Sequence, residues 1–248
     1  MLEHRDRKFL ENLNFFQSLP PEESRYLLDS AHSRGYNKHT HIHEQERPVD
    51  GFDIVLEGWI RLYRTTQSGK MASSVMLTPG DTYGQSLIIL GYKRNLYNAY
   101  SVKPARVARI PADLFEERVR HNPQIMYAVN QVLFSRMMSA QRKSEQMALM
   151  SADQRVACHL LYLSADLVGK GARFPLPYDK YEIAHHLGLS PESFSRALRH
   201  LEAADVHVHG GEITISNFAE LAETCRPDCA AGPQECRCAQ RLPSSGRE

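Results

Sequence analysis

The sequence carries almost no excess charge: 30 Lys and Arg stand against 29 Asp and Glu, a formal +1. A strongly basic chain would advertise nucleic acid or an anionic membrane through bulk electrostatics, so any such binding here has to come from a few placed cations. No apolar run reaches the ~20 residues that a membrane-spanning helix needs. The opening MLEHRDRKFLENL is charged and helical in pattern where a secretory leader would be apolar. The expectation is a soluble, cytoplasmic protein with no membrane partner. Cysteine is scarce in the body of the chain, where only Cys158 precedes Cys225. A disulfide framework is thereby excluded, and Cys158, on the apolar pattern of a helix, reads as an inert core residue.

What is present divides by pattern. At 248 residues two domains are the natural expectation. From roughly Gly35 to Ile110 the runs are short and alternating, with glycine or proline about every ten residues, which predicts about eight antiparallel strands in a small roll with a pocket. Asp53-Ile54-Val55-Leu56, the turn Glu57-Gly58 and Trp59 to Arg64 read as a hairpin with Ile60 and Leu62 on one face, and Thr78-Pro79-Gly80-Asp81 reads as another turn. His39, His41 and His43 alternate on a strand and so share one face. At about 3.3 Å per residue the outer two lie too far apart for one ion, and a polar strand at the rim is the plainer reading.

A proline opens a helix at Ile110-Pro111, and from Asn122 to Met150 no glycine or proline interrupts. Val129, Leu133, Met137, Ala140, Ser144 and Met147 recur in steps of three and four, a seam for a partner helix. The alternative is an ordinary core helix. Ser151-Ala152-Asp153-Gln154 is a capping box for the next helix, which Gly169 and Gly171 end. Asp179 to Leu187, the turn Gly188-Leu189-Ser190 and Pro191 to Ala203 then form a helix-turn-helix pattern, with Phe194, Leu198 and Leu201 on the buried side. Val206 to Ile215, folded back at Gly210-Gly211, supplies a wing.

The segment YDKYEIAHHLGLSPESFSRALRHLEAADVHVHGGEITI resembles the DNA-binding part of the cyclic-AMP receptor and FNR family of bacterial transcription regulators. The likeness runs upstream through the long helix to DIVLEGWIRLYR and TPGD, roughly residues 15 to 220. It implies an α+β fold: an N-terminal antiparallel β-roll of the cyclic-nucleotide-binding jelly-roll kind with flanking helices (1–120), a dimerisation helix (121–150), a winged helix-turn-helix (151–224) and a Cys-rich tail (225–248). Ser190-Pro191-Glu192-Ser193-Phe194-Ser195-Arg196 is similar to the FNR and DNR branches, whose E-x-x-S-R helices go with TTGAT-type half-sites. Implied partners are double-stranded DNA read as a palindrome by a homodimer, RNA polymerase, and a small-molecule or gas effector.

On the second helix of the motif, Glu192, Ser195 and Arg196 project from the face opposite Phe194 and Leu198. Arg196 can pair bidentately with guanine, Glu192 can accept from cytosine, and Ser195 suits either a base edge or a phosphate. Lys180 and Arg199 fit phosphates, and Ser190 is a further candidate DNA contact. Residues 151–224 hold six Lys or Arg against ten Asp or Glu, so these few cations and the histidines His185, His186, His200, His207 and His209 carry the electrostatics. In cyclic-nucleotide-binding relatives a Gly-Glu-Leu turn meets the ribose and an Arg-Ser pair the phosphate. Here the stretch reads Gly84-Gln85-Ser86-Leu87 and then Arg94-Asn95-Leu96-Tyr97. The candidate effector residues are Gly84, Gln85, Ser86, Arg94 and Tyr97, and the lost glutamate argues against cyclic AMP.

Cys225, Cys229, Cys236 and Cys238 put four thiols in the tail, a donor set for zinc or an iron–sulfur cluster, or a set of reduced thiols on a disordered tail. Haem is a third cofactor that the DNR likeness brings in, without a ligand motif to carry over. Gly35, His41, His43 and Glu46 loosely resemble the first metal motif of cupin enzymes, but no histidine occurs between His43 and His121 to complete it. Catalysis is therefore not expected. A dimeric scaffold that uses the winged domain for protein contacts is the remaining alternative.

Overall fold

The computed structural model describes residues 2–164, 172–176, 179–209 and 211–225, in two units, 1–136 and 137–248. Unit one opens with helices α1 (His4–Glu11), α2 (Asn14–Gln17) and α3 (Pro21–Ser30). Strands β1 (His32–Tyr36), β2 (His41–His43), β3 (Gly51–Glu57), β4 (Ile60–Thr65), β5 (Met71–Leu77) and β6 (Thr82–Tyr83) follow. The short helix α4 (Gln85–Ile89), strands β7 (Asn98–Ser101) and β8 (Ala105–Pro111) and helix α5 (Ala112–His121) complete it, with the first half of α6 (Pro123–Leu149).

The strands form two antiparallel four-stranded sheets, β1-β8-β3-β6 and β2-β7-β4-β5. Strand β3 explains the layering. Phe52, Ile54 and Leu56 face the helices, joining Leu10, Phe15, Leu27, Phe115 and Ile125 in one core. Val55 faces the other way, into a core between the sheets with Ile60, Leu77, Tyr83, Ala99 and Val107. A strand buried on both faces reads as a nearly continuous apolar run, and that is what residues 52–56 are except at Asp53. Leu62 packs against the same inter-sheet core as Ile60, as the hairpin reading requires.

Both turns of that reading rest on backbone geometry. Asp81 closes the second, its carboxylate accepting from the Thr78 N–H at 2.8 Å and the Thr78 hydroxyl at 3.0 Å. Gly58, with φ +81°, admits no other residue, because a Cβ there would lie 2.3 Å from the Pro104 carbonyl oxygen. Gly58→Ala should cost about 1–3 kcal/mol, from positive φ and the backbone clash together. Urea unfolding would measure it, and an unchanged midpoint would mean that the turn relaxes freely.

Helix α6 begins as a core helix and changes character along its length. Ile125, Ala128 and Val129 are fully buried in the helical core of unit one. Val129, read as the start of a partner seam, therefore packs inside its own chain. Beyond it Leu133 is 37%, Phe134 61% and Met137 56% exposed. Met147 is 50% exposed, but its methyl group also sits 3.0 Å from where a Cβ on Gly188 would be.

Unit two takes the second half of α6, then α7 (Ala152–Leu163), β9 (Ala172–Pro175), α8 (Lys180–His186) and α9 (Pro191–His200). A 3-10 turn (Leu201–Ala204), β10 (Val206–His209), β11 (Glu212–Ile215) and α10 (Phe218–Cys225) end the described chain. The capping box is present: the Ser151 hydroxyl accepts from the Gln154 N–H and the Gln154 side chain from the Ser151 N–H. Its core gathers Val156, Leu160, Leu161, Ile183, Phe194, Leu198, Leu201, Ile213 and Leu221. The wing has three strands in the order β10-β11-β9. Strand β9 was not foreseen, because four residues with one proline carry no alternation to read. The predicted glycine breaks at Gly169 and Gly171, and Gly210, lie outside the described residues. Among the described residues no helix is long and apolar enough to cross a membrane.

Candidate nucleic-acid interface

Helices α8 and α9 are joined by a tight turn that the sequence dictates locally. Gly188 takes φ +65°, and the Leu189 N–H returns to the Ala184 carbonyl at 2.8 Å. From α7, the Arg155 guanidinium donates to the Leu187 carbonyl at 2.9 Å, tying the turn to the rest of the unit. Ser190 caps α9, its hydroxyl accepting from the Ser193 N–H at 3.1 Å, and Pro191 occupies the first turn, where its missing N–H costs nothing.

With α9 so aimed, Phe194, Ala197 and Leu198 are buried while Glu192, Ser195, Arg196 and Arg199 are exposed. Spacings of three and four put these last side chains on one face. Glu192 is held below the usual carboxylate range, first by its own backbone N–H and then by the Ser190 hydroxyl, so it presents an acceptor. Arg196 contacts the Ser193 hydroxyl at 3.4 Å, a weak tether that leaves the guanidinium available. Lys180 is exposed at the first residue of α8. On the wing His207 and His209 face outward, alternating with Val206 and Val208. His200 is engaged with Asp153 at 3.0 Å.

Beneath this surface lies a pair of imidazoles, of which His186 was expected to help carry the charge toward phosphates and is instead held neutral. The rings of His159 (α7) and His186 (α8) are 5.5 Å apart. Burial pushes His159 down to about 4, with the Cys158 thiol opposing the shift and the Lys143 charge adding to it. Burial first, then His159, Lys143 and His185, pushes His186 to about 3. Cys158 is only partly buried and accepts from the Gln146 side chain at 3.5 Å, so it is not the inert core thiol expected. Cys225, assigned to a tail, is instead the last residue of α10 and fully buried, its thiol donating to the Leu221 carbonyl. Cys229, Cys236 and Cys238 lie outside the described residues.

In the roll, the candidate effector residues differ in exposure and partners. Gly84 adopts φ +97°, and a Cβ there would lie 3.2 Å from the Gly51 carbonyl oxygen and the Phe52 Cα. Gln85 is buried and donates to the Thr82 hydroxyl at 2.8 Å, and Ser86 is half-buried in the same helix, α4. Arg94 and Tyr97, however, are exposed. Arg94 donates to the Glu46 carbonyl at 2.9 Å, which braces the chain before β3.

The three strand histidines do not share a face either. The register shifts between His41 and His43, and His39 sits before the strand with φ 63°. His41 therefore points outward, 2.9 Å from the Tyr63 hydroxyl. His43 turns inward, to Asp53 at 2.5 Å and Arg109 at 2.7 Å. A bulge inserts one residue and reverses the faces that follow. Among the described residues no three His, Cys, Asp or Glu are placed to hold a metal ion.

Comparison with known proteins matches both units. Residues 33–122 match the family described as cyclic nucleotide-binding domain and residues 154–224 the Crp-like helix-turn-helix domain. A solved structure of a candidate cyclic nucleotide binding protein from Ruegeria pomeroyi is 31% identical, with a TM-score of 0.71, covering 92% of this chain and all of that one. The nitrogen fixation regulation protein FixK of Bradyrhizobium diazoefficiens is 29% identical over 175 residues, 68% of this chain and 72% of its own. The cyclic AMP receptor protein of Thermus thermophilus is 26% identical over 209 residues, 84% and 94%.

Proposed function

Since the chain belongs to the cyclic-AMP receptor and FNR family of transcription regulators, we propose that it reads TTGAT-type palindromes as a homodimer. Glu192, Ser195 and Arg196 contact base edges, while Ser190, Lys180 and Arg199 hold phosphates. One observation carries this reading: the three base-reading side chains are exposed together on the helix whose opposite side, Phe194 and Leu198, is buried. A helix so divided fits a major groove. Footprinting of the full chain on a TTGAT palindrome and on its scrambled version tests it; equal protection of both would overturn it.

The dimer seam follows from α6. Leu133, Phe134 and Met137 expose apolar surface in consecutive turns, and such a stripe on a long helix suits a second copy of the same helix. Met137→Glu would bury a charge there and should weaken self-association at least about tenfold, a hot-spot-sized loss. Sedimentation would show it, with the helical content unchanged; a stable dimer in this variant would place the seam elsewhere.

The effector is not cyclic AMP in this reading. Gln85 stands where an anionic acceptor would be, and Arg94 is engaged with a backbone carbonyl. The effector alters the packing of the paired α6 helices and thereby the spacing of the two reading helices, which must match half-sites about one helical turn apart.

A further inference from the structure

Three partly buried arginines of unit one have partners. Arg106 meets Asp6 at 2.6 Å and Glu57 at 2.8 Å, and Arg109 meets Asp53 at 2.8 Å. Arg118 covers the Tyr26 ring and lies 3.6 Å from Glu23. Arg136, the last residue of the unit, differs. Its Nη2 is shut off from solvent and has no hydrogen-bond partner among the described residues. A buried guanidinium N–H without an acceptor is uncommon, because both the desolvated donor and its charge go uncompensated.

The helix sets the position of this cation. Val129 and Val132 pack on the core of unit one, and steps of three and four residues carry the same inward face to Arg136. One turn earlier the Gln131 side chain accepts from the Ser18 hydroxyl at 2.8 Å, which ties α6 to the end of α2. Burial lowers the pKa of Arg136 and the charge of Asp81 opposes this, so the side chain stays a cation. Among the described residues the two form no ion pair. Asp81 commits its Oδ2 to the Thr78 N–H and the Thr78 hydroxyl. The guanidinium therefore points into unit one with a donor and a charge still open to an anion.

We propose that Arg136 anchors the effector and that the effector is a small oxyanion, a carboxylate or a phosphate. The inference rests on the reading of unit one as a sensor. A planar guanidinium holds such a group through two parallel hydrogen bonds. The bound anion supplies the acceptor that Nη2 lacks and counters its charge, so it favours the arrangement of α6 in which Arg136 faces it. Arg136 immediately precedes Met137 of the proposed dimer seam. The ligand thus acts on the helix through which the two copies meet.

The test is thermal unfolding of the full chain without DNA, with succinate or inorganic phosphate added at constant ionic strength, for the parent protein, R136M and R136K. The parent midpoint should rise with at least one of these anions, and should go on rising with the logarithm of its concentration, as linkage to a native-state site requires. The anion that acts identifies the group. R136M should show no such rise. Without anion it should unfold no earlier than the parent, since it replaces a buried charge that has no partner with an apolar side chain. R136K keeps the charge and loses the fork, so its affinity should fall about tenfold or more.

A parent midpoint unmoved by either anion would overturn the proposal. An equal rise in the parent and R136M would do the same, as the mark of an adventitious ion only. A carboxylate of a second copy is the other source of an acceptor, and sedimentation checks it: a dimer weakened in R136M as in Met137→Glu would also overturn the proposal. If R136M fails to fold, R136K decides, and an affinity equal to the parent's sinks the assignment. The TTGAT footprint is measured separately, so failure here leaves the DNA reading standing, and failure there leaves this site standing.

Discussion

Arg196→Ala should abolish the preference for the TTGAT palindrome while leaving the fold and the dimer untouched. The side chain is exposed and its weak contact to the Ser193 hydroxyl at 3.4 Å supports nothing else, so its removal costs little stability. A bidentate arginine–guanine pair discriminates by about 1–3 kcal/mol, or about 5- to 150-fold in the ratio of cognate to scrambled affinity. Glu192→Ala should lose less, and only at the base pair whose cytosine it meets. Arg199→Ala should weaken both sequences alike, the signature of a phosphate contact. Gel-shift titrations with single-base variants separate these patterns. An Arg196→Ala protein that still ranks the sites as the parent does would remove the residue from base reading.

The reading helix was legible because everything that shapes it is local. A capping serine, a proline in the first turn, a turn glycine three residues earlier and apolar positions at helical spacing all lie between Gly188 and Leu201. Local rules also placed the hairpins of the roll, through Gly58 and Asp81. What escaped was decided across long stretches of chain. Arg109 lies 56 residues from Asp53, and the inward turn of His43 depends on a bulge against β7 that no pattern in residues 39–43 reveals. One clue was available: Asp53 interrupts an apolar run, and a charged side chain in a doubly buried strand has to find a cation. The Arg94 contact was hidden for a similar reason, since its partner is the Glu46 carbonyl, 48 residues away. Val129 was read correctly as apolar and assigned to the wrong neighbour, because periodicity says which side of a helix is buried and not what buries it.

Acid should loosen unit two before it affects the roll, and two imidazoles, the buried His159 and the half-buried His186, give the reason. In the unfolded chain they protonate near the ordinary histidine value of about 6.5. In the folded unit His159 waits until about 4 and His186 until about 3. Between these limits the unfolded state binds more protons, so stability falls as pH falls. The contribution is complete above about pH 6.5 and declines toward pH 4 and 3 at about 1.4 kcal/mol per pH unit for each ring. Across the window the loss is on the order of a few kcal/mol, comparable to the net stability of a small domain. A proton forced onto either ring would face the Lys143 charge, and the Cys158 thiol beside His159 offsets the burial only in part. The strain falls where α6, α7 and α8 meet, beneath the turn that aims α9. Protection of the α8 amides against exchange, taken relative to the unfolded chain at each pH from 7 to 4.5, should fall steeply in the parent protein. In His186→Gln, which has no proton to gain, one ring's share of that slope should vanish. Equal slopes in the two proteins would mean that carboxylates elsewhere govern the acid response and that the imidazole pair is a spectator.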